Sequence, residues 1–116
     1  MLPSHSVEQV AIASLLVTEL ASYEQGLRRL VFEWDADLYR SLSDQFDRMQ
    51  MYAAALPLLS ASWTELLISR AELMHAIWSG NVPPHANGRA IALQAQHHAM
   101  VAEVLRKCVA YLSRPQ

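Results

Sequence analysis

Among its 116 residues the chain carries one cysteine, one lysine and three glycines. Each scarcity excludes something. A lone Cys108 cannot form an intramolecular disulfide or build a zinc site from several thiolates, and it suits a reducing compartment. Lys107 is the single lysine, and basic residues adjoin only at Arg28-Arg29 and Arg106-Lys107. Nucleic-acid binding asks for a basic stripe, which this sequence lacks. The three glycines stand apart, so no Gly-rich phosphate loop is present. Long apolar runs are missing too. The uncharged stretches Gln9 to Thr18 and Met49 to Thr64 fall short of the ~20 apolar residues of a membrane span, and Pro57 interrupts the second. The start, MLPSHSVEQ, has no positively charged segment of the kind that opens a signal peptide. These features together predict a cytoplasmic protein with no membrane span.

Apolar residues are plentiful. They make up 53% of the chain and charged residues 17%, with a net charge of −2; ordinary globular chains have about 45–50% and about 25%. The length fits one domain, residues 1–116, able to bury a core without staples. So few charges also leave apolar surface over, which predicts a partner or a second copy.

The stretch from Asp35 to Ser79 has no glycine and one proline, Pro57. Within it Leu38, Leu42, Gln45, Met49, Tyr52, Leu56, Leu59, Trp63, Leu66, Arg70, Leu73 and Ile77 recur at steps of four and three. That is a helix face packed on other helices. Pro57 removes an amide donor, clashes with the Ala53 carbonyl and pushes Leu56 out of helical geometry. The sequence therefore predicts a break or sharp kink near Pro57, with two distinct helices favoured over one bent rod. Ser62-Trp63-Thr64-Glu65 reads as a capping box for the second.

Upstream, Ser6 with Gln9 forms another capping box, and Ile12, Leu16, Leu20, Tyr23, Leu27, Leu30 and Trp34 trace the face of a first helix ending near Val31 to Glu33. Gly26 marks a place for a bend or early end, and Asp35 is placed to cap the next helix. Downstream, Gly80 suits a helix C-terminus, residues Val82 to Gly88 read as a loop, and a last helix runs from about Asn87 to Leu112. Its apolar face is drawn from Ile91, Leu93, Ala95, Met100, Val101, Val104, Leu105, Cys108, Val109 and Leu112, and Arg114-Pro115-Gln116 is a tail. The predicted fold is all-α: an antiparallel bundle of three to four helices.

Candidate chemistry is sparse. Glu72 and His75 form one Glu-x-x-His quartet, whose spacing puts both side chains on one helix face. Di-iron bundles need two such quartets and further carboxylates, so no metal is expected and Glu72 and His75 stand as the alternative reading. His97 and His98, adjacent on a helix, point about 100° apart. A phospho-accepting histidine on a bundle wants a nearby lysine and a small neighbour, whereas Ala99, Met100 and Val101 follow here. Cys108 sits among apolar residues, as a buried small hydrophobe does.

The sequence thus points to a non-enzymatic protein–protein interaction module, without cofactor, acting through apolar helix faces. It is expected to form a homo-oligomer, at least a dimer, and to bind a protein partner. The predicted interface residues are Met49, Met51, Tyr52, Leu56, Leu58, Leu59 and Trp63. The alternative is a metal-binding helical enzyme or sensor using Glu72 and His75.

Overall fold

In the computed structural model, which describes residues 6–79 and 88–113, four helices follow one another: α1 (Val7–Phe32), α2 (Ala36–Ala54), α3 (Ser60–Ser79) and α4 (Gly88–Leu112). A 3-10 turn, Pro57–Leu59, leads into α3. The bundle is elongated, 57 × 23 × 18 Å. α1 lies along both α2 and α4, and α3 lies along α4, while the backbones of α2 and α3 approach only in a few places. The loop at Val82 to Asn87, Gly80 as a helix end and the tail from Arg114 fall outside the described residues.

Local signals set the helix starts. The Ser6 hydroxyl accepts from Gln9 N at 3.0 Å while Gln9 Oε1 accepts from Ser6 N at 3.3 Å, closing the capping box. Asp35 Oδ1 accepts from the amides of Asp37 and Leu38 at 2.9 and 3.1 Å. These contacts satisfy amides that the helices themselves cannot. α1 runs unbroken through Gly26, whose role is closeness rather than a bend. A Cβ there would stand 2.7 Å from Leu42 Cδ2 on α2.

Pro57 divides the central segment as expected. Leu56 takes φ −122° and ψ 88°, outside the helical region, and Pro57 opens the 3-10 turn at its first position. Pro needs no amide partner there and its fixed φ suits the turn. The segments on either side are bent by 113°. The corner is tied to α4, where Tyr111 Oη accepts from Leu58 N at 3.0 Å. The capping box expected at Ser62 does not form. α3 already begins at Ser60, because the turn at Pro57 starts the helical path early, and Ser62 lies buried inside the helix.

The core takes the predicted stripes. From α1 come Leu16, Leu20, Tyr23, Leu27 and Leu30; from the central segment Leu42, Met49, Leu56, Leu59, Leu66 and Leu73, all buried. Each such side chain contributes on the order of 1.5–3 kcal/mol by leaving water. On α4 the buried line is Ala90, His97, Val101, Val104, Cys108 and Tyr111. Four members of the predicted α4 face, Ile91, Ala95, Val109 and Leu112, point to solvent instead.

Candidate functional site

The most unusual feature of the core is a line of polar side chains across it. Tyr23 of α1 and Ser69 of α3 flank His97 of α4, and all three are almost wholly buried. Tyr23 Oη lies 3.0 Å from His97 Nε2, and Ser69 Oγ lies 2.7 Å from His97 Nδ1. Ser69 Oγ also stands 2.9 Å from the Leu66 carbonyl oxygen one turn back. At the other end the positive charge of Arg70 acts on the Tyr23 hydroxyl.

The Leu66 end fixes the direction of every bond in the line. A carbonyl only accepts, and a hydroxyl has one proton to give. Ser69 therefore donates to the Leu66 carbonyl, His97 Nδ1–H donates to Ser69, and Tyr23 donates to His97 Nε2. A neutral imidazole with its proton on Nδ1 satisfies the whole line. Burial pulls the His97 pKa down to about 4, with the charges of Arg70 and His98 adding to the effect. Burial likewise raises the Tyr23 pKa well above the phenol range, against the opposing pull of Arg70.

This geometry bears on nucleophilic catalysis. A serine next to an imidazole resembles an activated nucleophile, but activation needs an unprotonated nitrogen facing the hydroxyl. Here the facing nitrogen carries the proton and the Ser69 proton is held by a carbonyl. The arrangement is a structural crosslink of α1, α3 and α4. Burial also removes His97 from reach of a phosphoryl donor. His98 is the exposed member of the pair, and its Nδ1 lies 2.5 Å from Glu24 Oε2. Tyr23-Glu24 on α1 thus faces His97-His98 on α4, one contact inside and one outside.

Arg70 lies on the seam between α2 and α3. Its guanidinium carbon sits 4.2 Å from the centre of the Phe46 ring, a cation–π contact. Phe46 also stacks with Trp63, ring centres 5.4 Å apart and planes 18° apart. Two donors in this seam, Arg70 Nε and Trp63 Nε1, are buried without a hydrogen-bond partner among the described residues. Further along, Trp34, Tyr39 and Trp78 meet with ring centres 4.9–5.4 Å apart. Trp34 is 38% and Trp78 60% exposed.

The other predicted sites fall out as follows. Glu72 and His75 both sit on the exposed side of α3. No cluster of three or more metal-ligating side chains forms among the described residues. Glu72 borders a shallow depression between α3 and α4 with Glu65, Ile68 and Met100. Cys108 is buried, and burial pushes its thiol up to about 11.

Of the predicted interface residues, Met49, Leu56, Leu59 and Trp63 are buried within the single chain. The reason is the corner at Pro57, which folds the uncharged run back so that α1 and α4 cover much of it. These four are core, a correction to the sequence expectation. Tyr52 is half-buried, while Met51 and Leu58 stay on the surface at 74% and 51% exposure.

Comparison with protein-family models, with curated proteins and with solved structures finds no match to this chain. Among the described residues no single helix is long and apolar enough to cross a membrane; α2 and the segment Pro57–Trp78 meet that test only as a bent pair.

Proposed function

We propose that the protein is a non-enzymatic interaction module of the cytoplasm that self-associates, at least as a dimer, and binds a protein partner through apolar helix faces. One observation carries the reading: Met51 and Leu58 are exposed in a run, Met49 to Thr64, that holds no charge. Leu58 is joined to α4 through Tyr111, and exposed Val109 and Leu112 lie on the last turns of that helix. The corner end of the bundle is therefore apolar on its outside as well as its inside. Isolated exposed apolar residues are ordinary, whereas a group of them without charge is a mark of contact surfaces. A symmetric pair would cover this end with its own copy.

Light scattering on a sizing column tests it. A species of at least twice 13.0 kDa is expected at micromolar concentration, shifting toward monomer in the double variant Met51→Gln, Leu58→Gln. A monodisperse monomer at high micromolar concentration would overturn self-association.

A further inference from the structure

We propose that the groove between α3 and α4 docks a basic helical segment of a partner protein, with Glu65 and Glu72 pairing two of its cations and Ile68 taking an apolar side chain between them. This rests on the interaction-module reading above and gives the partner a site and a chemistry.

The surface there is open. Glu65, Ile68 and Glu72 follow one another at steps of three and four, so they lie in one line along α3, about 10 Å from first to last. All three face solvent, and Ile68 is 57% exposed. Beside them lies a depression of about 190 Å³, with Gln96 and half-buried Met100 of α4 on its far side. Exposed Ala92 and Ala99 stand one turn to either side of Gln96, so this wall is low and a backbone can come close. Small-molecule pockets begin at about 300 Å³. The depression is smaller than that and suits a single side chain laid across it.

Charge says what covers it. No cation lines the depression. Neither Glu65 nor Glu72 takes part in an ion pair among the described residues. Basic groups on the same two helices are engaged elsewhere: Arg70 lies over the Phe46 ring of α2, His98 meets Glu24 of α1, and Arg106 is held by Glu103. An acidic partner would be repelled here, and a purely apolar one would cover two carboxylates without pairing them. A helix with two cations seven positions apart and one large apolar residue between them matches both the sign and the spacing. None of this chain's own described helices carries two arginines or lysines at that spacing, and its net charge is −2, so the segment belongs to a different protein.

The test uses a blocked alanine-based helical peptide with two Arg seven positions apart and one Leu between them, and its counterpart with both Arg replaced by Gln. Both are titrated into the full chain while the methyl groups of Ile68 and Met100 are followed by ¹H–¹³C NMR. Saturable shifts are expected at both methyls. The Arg peptide should bind ~10-fold more tightly than the Gln peptide at low ionic strength, and the difference should shrink as salt is raised. The double variant Glu65→Gln, Glu72→Gln changes only exposed groups and should equalise the two peptides. Equal binding of both peptides to the native chain, shifts confined to the Met51 and Leu58 end, or no saturable shift at millimolar peptide would each overturn the proposal. So would Ile68 and Met100 shifts that follow protein concentration without peptide, since a second copy would then cover the groove. The native-chain comparison does not depend on any variant folding. Failure of the peptides with a dimer still present on the sizing column would remove the groove alone and leave the interaction reading standing.

Discussion

Tyr23 Oη meets His97 Nε2 at 3.0 Å across 74 positions of chain. The bond sits where four helices converge, and the Tyr23 ring also packs against Phe46 at 5.7 Å between centres. An imidazole in an apolar core is costly unless both nitrogens are engaged. Here both are, and the Leu66 end of the line dictates how.

The first prediction concerns that line. Tyr23→Phe leaves the His97 Nε2 lone pair without a donor, and Ser69→Ala leaves its Nδ1–H without an acceptor. Each should destabilise the fold by about 1–3 kcal/mol, the usual cost of an unsatisfied buried group. The two should not add, since both act on one ring. Denaturant unfolding of the single and double variants measures the coupling; strict additivity would mean that the two contacts are independent.

The second concerns pH. The folded state holds the His97 pKa at about 4 against an ordinary 6.5, so the unfolded chain binds the extra proton first. Stability contributed by neutral His97 is full above about 6.5 and is lost as pH falls toward 4, amounting to roughly 3 kcal/mol. His97→Gln should remove this part of the slope. Unfolding free energies of the two proteins measured from pH 7 to pH 4 check it, and parallel curves would contradict it.

The helices and the starts of α1 and α2 were legible in the sequence because their signals are local. Ser6 and Asp35 cap through residues two or three positions away, and Pro57 breaks the helix by its own ring. His97 was harder. Its partners lie on other helices, and a histidine beside a second histidine gives no sign of which one turns inward. The signal available was the register of α4: stepping back from Cys108, Val104 and Val101 lands on His97. The uncharged run was ambiguous for a different reason. Apolar composition is the same whether a residue is covered by its own chain or by another. Helix face and the sharp turn at Pro57 together separate Met49, Leu56, Leu59 and Trp63, which are enclosed, from Met51 and Leu58, which are not. Arg70 fell on the apolar stripe at regular spacing, and its place over the Phe46 ring became visible only in three dimensions.

A third prediction follows from Tyr111. Tyr111→Phe removes the acceptor for the Leu58 amide at the corner and should cost about 1 kcal/mol while leaving helix content unchanged. Circular dichroism with denaturant titration reads both. A loss of helix in the folded state would mean that the corner depends on this bond to form at all.

Cys108 offers a fourth. Its thiol is enclosed and held up to about 11, so little thiolate exists at neutral pH and none is accessible. Alkylation by iodoacetamide should be slow in the native protein and should accelerate in step with unfolding as denaturant is raised. Rapid native-state labelling would show that α4 opens without global unfolding.

The claim on which the account turns is that His97 is a neutral structural residue with its proton on Nδ1, which leaves function to the surfaces. Long-range ¹H–¹⁵N correlation of the imidazole, followed from pH 8 to pH 4, tests it directly. The account predicts a protonated Nδ1, an unprotonated Nε2 and a ring that stays neutral down to about pH 5 while the protein remains folded. A proton on Nε2, or titration of His97 near 6.5 in the folded state, would contradict it.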